Sequence, residues 1–201
     1  MRLSFFWITV FLYFFLSFAQ EGDLLSAAET QVTEIGSATL TITIDWISQV
    51  RAHAEAETFI PVSPQRVWEI LTDYDHLADF APYLTSSRVI RREPERLFLH
   101  QEGGIWFAFY RLKVQTTFEV KEVYPEEIFF KAVEGDFAVY EGRWKLKPDN
   151  EGTWMSYEVI VEPRFWVPRW ALNLMERQTL KNTFRAILRR CVTSSAQKKS
   201  T

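Results

Sequence analysis

The chain has a single cysteine in 201 residues. That scarcity excludes an intramolecular disulfide and a cysteine-rich zinc site, and Cys191 reads as a small buried apolar residue on the last helix. Histidine is almost as scarce. His53, His76 and His100 show no metal-ligand spacing with one another, with cysteine or with a carboxylate, so no metal is expected. A Gly-rich phosphate loop is missing and no serine sits in a nucleophile-elbow context, which disfavours nucleotide and acyl-enzyme chemistry. Internal repeats and low-complexity tracts are absent. The chain also lacks a cationic excess, its net charge being −3, and nucleic acid is therefore a remote partner. No cofactor is expected.

What is abundant is aromatic. Phe, Trp and Tyr make up 16% of the residues, more than a plain core needs. A chain of this length builds one good core and not two large domains.

The first segment, "MRLSFFWITVFLYFFLSFAQ", carries Arg2 and then an apolar and hydroxyl run from Leu3 to Phe18, with Ser17 and Ala19 placed for signal peptidase. It reads as a signal peptide over 1–19, which puts the domain in the periplasm or outside the cell. An uncleaved anchor is the competing reading, because the run falls only slightly short of the roughly 20 apolar residues that span a bilayer. Residues 20–38 are polar without a sustained period and are expected to form a flexible leader. Residues 39–191 form the domain, and 192–201 a polar tail.

Within the domain, alternation over Leu40, Ile42 and Ile44, then over Ala52, Ala54, Ala56, Thr58 and Ile60, predicts a hairpin or two successive strands. "SPQRVWEIL" predicts a short helix with Ser63 as N-cap and Pro64 at its first position. "TDYDHLADFAPYL" predicts another, capped by Asp73 or Asp75 and ending near Pro82. Antiparallel strands follow, one of them running without a break from Ile105 to Val123, with turns assigned to Gly103-Gly104, Tyr124-Pro125 and Asp149 to Gly152. A long helix from about Val167 to Cys191 ends the domain. This order is α+β, with the helices gathered on one face or end of a single sheet.

Period-two spacing puts Trp106, Tyr110, Val114, Thr116 and Phe118 on one face of the longest strand, with Tyr140 and Trp144, then Met155 and Tyr157, on matching faces of later strands. Tyrosines recurring on inward faces need partners for their hydroxyls, and a lined pocket with a few polar handles meets that need better than a dry core. On the terminal helix, Trp166, Trp170, Leu180, Phe184, Ile187, Leu188 and Cys191 fall in one stripe together with Asn173 and Arg177. Arg177 is read either as structural, snorkelling or paired with an acid on the sheet, or as a pocket residue holding a ligand oxygen together with Asn173. Ala171, Leu172 and Met175 fall on the other side, beside "FWVPRW", where an exposed lip or an aromatic lid fits. From Pro163 onward nine Lys or Arg face one acid, Glu176. They complement the helix dipole or meet an anionic membrane surface. Asp73, Asp75 and His76 can move protons, but carboxylates at a helix start first serve as caps.

The stretch "VSPQRVWEILTDYDHLADFAPYLTSSRVI" closely resembles the polyketide cyclase/dehydrase-like and coenzyme-Q-binding branch of the START-like superfamily. The shared features are Val67-Trp68, Asp73-Tyr74, Phe80 to Pro82 and Ser87 to Val89, with "VEGDFAVYEGRWKL" and "VEPRFWVP" as later points of likeness. The resemblance implies a helix-grip fold: a curved antiparallel sheet around the long C-terminal helix, enclosing an elongated apolar cavity. It also implies a hydrophobic small-molecule ligand of lipid, quinone or polyketide type, and it carries no catalytic residues onto this chain. The expected ligand-binding residues are Tyr74, Phe80, Tyr83, Trp106, Tyr110, Tyr140, Trp144, Tyr157, Trp170, Asn173 and Arg177. Binding or carriage is the first expectation. A cyclase or dehydrase acting on such a ligand, and a peripheral membrane or envelope interaction domain, are the alternatives.

Overall fold

The computed structural model describes residues 28–107 and 110–198, with side chains described for 28–104 and 112–193. The expected signal segment and residues 20–27 lie outside the described residues.

Nine strands form one antiparallel sheet: β1 (Glu29–Ile35), β2 (Ala38–Trp46), β3 (Ala52–Ile60), β4 (Leu84–Glu93), β5 (Arg96–Phe107), β6 (Tyr110–Val123), β7 (Glu127–Gly135), β8 (Phe137–Asp149) and β9 (Gly152–Pro163). Between β3 and β4 lie a helix, α1 (Pro64–Leu71), and a 3-10 helix (Tyr74–Asp79); α2 (Arg169–Lys198) follows β9. The spatial order is β1-β2-β3-β9-β8-β7-β6-β5-β4. Every neighbour is a sequential hairpin except β3 and β9, where the first strands meet the last. The sheet thus wraps α2 in the expected helix-grip arrangement.

Alternation explains the core. Leu40, Ile42 and Ile44 on β2, Ala52, Ala54 and Ala56 on β3, and Met155, Val159 and Val161 on β9 are all buried. The small alanines leave room for α2, whose Leu180, Phe184, Ile187, Leu188 and Cys191 join the same cluster. Val67, Trp68, Ile70 and Leu71 of α1 close it from the side.

The structure departs from the sequence reading in four places. First, β1 occupies part of the expected leader. Its residues are mostly exposed, so the strand exists through pairing with β2 and not through a hydrophobic period of its own. Second, Gly103 and Gly104 lie inside β5 and make no turn. A Cβ on Gly103 would stand 2.8 Å from the Tyr83 carbonyl oxygen, and the Gly104 amide donates to that oxygen at 2.9 Å; glycine is there for close approach. The expected long strand is consequently two, β5 and β6. Third, α2 runs on through Lys198 past the expected end at Cys191, since no glycine or proline stops it; among the described side chains Cys191 is the last buried one. Fourth, the caps are not made by side chains. Neither Ser63 nor Asp73 donates or accepts a capping hydrogen bond. Asp73 instead binds His76 at 2.6 Å, and Asp75 accepts the Val89 amide at 2.8 Å, tying the 3-10 helix to β4.

Candidate functional site

A cavity of about 270 Å³ opens between the inner face of β5 to β9, the segment from Leu71 to Leu84 and one side of α2. Its sheet wall is aromatic because alternate residues of neighbouring strands share a face. Phe118, Phe130, Tyr140 and Tyr157 meet ring to ring at centroid distances from 5.1 to 6.0 Å. Trp144 lies 4.4 Å from Tyr157 and 5.5 Å from Phe184, sealing one end.

Phe80, Pro82 and Tyr83 form part of the lining contributed by the segment after the 3-10 helix. Tyr83 has a positive φ of 71°, a conformation that costs energy outside glycine. Its hydroxyl accepts from Asn182 Nδ2 of α2 at 2.6 Å, and Arg190 stands over the Phe80 ring at 5.7 Å. Two contacts therefore hold this segment against the helix. The Tyr74 hydroxyl donates to Glu122 Oε1 at 2.8 Å, and burial with that neighbouring carboxylate raises its pKa well above the ordinary value.

On α2 the cavity face carries Leu172, Met175, Glu176, Thr179, Leu180, Thr183 and Ile187, the three- and four-residue steps of one helix side. Glu176 is partly buried there, and its burial pushes its carboxyl up to about 7. It makes no hydrogen bond or ion pair with any described residue. Across the cavity, the Tyr140 and Tyr157 hydroxyls interact with each other and feel the Glu176 charge. Burial first, and that charge second, push Tyr140 up to about 12; burial first, then Tyr140, hold Tyr157 well above its ordinary value. Both phenols stay protonated and can donate.

Of the residues singled out from sequence, Tyr74, Phe80, Tyr83, Tyr140, Trp144 and Tyr157 line this cavity together. The side chains of Trp106 and Tyr110 lie outside those described. Trp170 is 58% exposed and does not line the cavity. Asn173 and Arg177, read as possible polar handles, sit on the outer side of α2 against β1. Arg177 pairs with Glu29 at 2.9 Å and donates to Asn173 Oδ1 at 2.8 Å, to Gln31 Oε1 at 3.2 Å and to the Glu29 carbonyl at 3.1 Å. This is the structural alternative raised for Arg177. Ala171 and Leu172, placed on an exposed lip, are buried, and Met175 lines the cavity; Trp166, Trp170 and Leu174 are the exposed ones.

Sequence reading missed Glu176. Its signal was present, as the lone acid among the nine cations of the C-terminal segment, four residues from both Leu172 and Leu180. It also found no carboxylate with ligand spacing to a histidine, yet pairing of β3 with β9 brings His53 within 3.4 Å of Glu158 and 3.8 Å of Glu55. That group lies on the outer face of the sheet, where Arg143 already binds Glu158 at 2.9 Å.

Residues 60–187 match a family described as polyketide cyclase/dehydrase and lipid transport. No curated protein matches the sequence. Among solved structures, a Thermus thermophilus protein, TTHA0849, is 23% identical over 71% of this chain and 99% of its own, with a TM-score of 0.63. A STAR-related lipid transfer protein fragment from Xanthomonas axonopodis is 13% identical over 83% and 99%, with a TM-score of 0.66. The Zhui aromatase/cyclase from a Streptomyces species is 15% identical over 70% and 93%, with a TM-score of 0.61. These likenesses are of fold.

Proposed function

The chain belongs to the polyketide cyclase/dehydrase and lipid transport family, and from that premise we propose that it binds and carries a hydrophobic small molecule in the cavity beside α2. The observation that carries this reading is the aromatic-walled cavity of about 270 Å³ with Glu176, Tyr140 and Tyr157 as its polar handles. Its volume sits near the lower end of small-molecule sites, and an apolar lining with few placed polar groups is their usual chemistry. The apolar segment at the N-terminus supports carriage outside the cytoplasm, by a cleaved or an anchored form.

The test is native mass spectrometry of the protein purified from its own host, followed by extraction of what co-purifies. A stoichiometric hydrophobic molecule is the expected result. A protein that is empty, and stays empty after incubation with fatty alcohols, sterols and quinones, overturns the reading.

A second reading is favoured by Glu176 alone. A carboxyl that titrates near neutral pH can take a proton from the carbon beside a ligand carbonyl, while tyrosine O–H groups hold the oxygen that gains charge. Chemical change in the extracted ligand on prolonged incubation, lost in Glu176→Gln, supports cyclase or dehydrase chemistry. An unaltered ligand supports carriage.

A further inference from the structure

Among the described residues, the cavity lining carries charge of one sign. Among the described residues it includes the carboxyls of Glu102 and Glu176 and no lysine, arginine or histidine. Of the α2 cations around Glu176, Arg177 is held by Glu29, Gln31 and Asn173 on the β1 side, Arg169 stands over the Trp46 ring at 4.6 Å, Arg185 donates to Asn182 at 3.4 Å, and Lys181 is not part of the cavity lining. Glu176 has no partner of its own among the described residues. A partly buried carboxyl in apolar surroundings is costly unless something hydrogen-bonds to it, and the described polar groups on its helix side and on β8 and β9 are neutral hydroxyls: Thr179 and Thr183 on its own helix side, and Tyr140 and Tyr157, already in contact with each other.

We propose that Glu176 selects apolar ligands whose single polar end donates hydrogen bonds, a hydroxyl or an ammonium, and discriminates against ligands ending in a carboxylate or phosphate. This rests on the cavity being a ligand site. A donor head beside Glu176 supplies the missing partner and gains a charge-assisted bond. An anionic head meets a like charge with no cation among the described lining residues to offset it. A hydroxyl has a further advantage, since it can donate to Glu176 while accepting from Tyr140 or Tyr157.

The selection depends on pH. The groups facing Glu176 are Tyr140 from β8 and Tyr157 from β9, both protonated through neutral pH, and no charged side chain on its own helix face. Glu102, on β5, is the other acid of the lining. As pH rises through about 7, Glu176 loses its proton. Ammonium binding is therefore strengthened and carboxylate binding weakened over the same interval.

The experiment compares decylamine, decanol and decanoate, below their micelle concentrations, with wild type and Glu176→Gln, by displacement of a neutral fluorescent apolar probe. At pH 8 the amine is expected to bind about tenfold or more tighter than the carboxylate, with the alcohol between, the scale of one hydrogen bond to a charged group. In Glu176→Gln the three are expected to converge to within about threefold, the remainder of such a bond once its charge is removed. Wild-type affinity for decanoate is expected to rise as pH falls from 8 to 6, a readout that needs no variant. Equal binding of all three, or tightest binding of decanoate, overturns the selection and leaves the cavity a ligand site. Failure of all three and of the neutral probe to bind overturns both.

Discussion

At the scale of single residues, Glu176 is where stability and function pull apart. Its carboxyl titrates near 4.5 in the unfolded chain and near 7 in the folded one, because burial disfavours the charged form. Between those values the native state holds a proton that the unfolded state has lost. The stability linked to Glu176 is thus fully present below about pH 4.5 and is lost as pH rises to about 7, by up to about 3 kcal/mol. Glutamine has the same shape and nothing to ionise. Glu176→Gln is expected to match wild type near pH 4.5 and to exceed it by about 1–3 kcal/mol at pH 8, measured by urea unfolding across that range. Parallel pH profiles for the two proteins would show that Glu176 is not buried as described. A residue that weakens the fold at neutral pH, and that a partner from outside can satisfy, suits a ligand site better than a core.

At the scale of elements, the cavity lane of α2 lies beside the stripe that its sequence shows, and not within it. Counted at 3.6 residues per turn, Asn173 and Arg177 run on from Phe184 and Leu188, so the sequence placed them with the pocket. The cavity borders that stripe only along Leu180 and Ile187, however. One lane, with Arg177 and Leu188, faces the first strands, where Arg177 binds Glu29 and Leu188 lies against Gly36. The other lane, with Leu172, Glu176, Thr179 and Thr183, faces the cavity. Helical periodicity was legible; which neighbour covers each lane depends on sheet curvature, which no local pattern carries. The same holds for β1, whose exposed polar residues gave no period and which is fixed by β2 and the Arg177 clasp. Arg177→Ala is accordingly expected to cost about 1 kcal/mol, given the exposure of Glu29, and to accelerate amide exchange in β1 while leaving ligand affinity within about twofold of wild type, as expected for sites without shared partners. A larger loss of affinity in the folded variant would return Arg177 to the ligand site.

At the scale of the whole molecule, the run of antiparallel strands, the terminal helix and the aromatic wall were readable because alternation and turn residues encode them locally, and the stretch from Val62 to Ile90 pointed to the helix-grip fold; the closure of β3 on β9 was not. The cavity itself was not readable as a volume, since it arises from what two distant segments fail to fill. On the sheet side Phe118, Phe130, Tyr140 and Tyr157 pack against one another. On the helix side the lining carries the short Thr179 and Thr183, whereas Phe184, one residue further, is fully buried against Trp144. A helix gripped by a sheet would otherwise close the gap, as interiors pack to near-crystalline density. Replacing a short residue on the cavity lane with a larger apolar one should therefore trade binding for stability. Thr183→Leu is expected to raise unfolding free energy by about 0.5–2 kcal/mol, the usual gain from filling a cavity. The same variant is expected to weaken binding of the neutral apolar probe by about tenfold or more, the equivalent of losing roughly 1.4 kcal/mol of contact. Calorimetry and probe titration on one preparation read both effects. Unchanged probe affinity together with a destabilised fold would mean that the gap beside Thr183 is closed in solution, and that the ligand, if there is one, sits elsewhere.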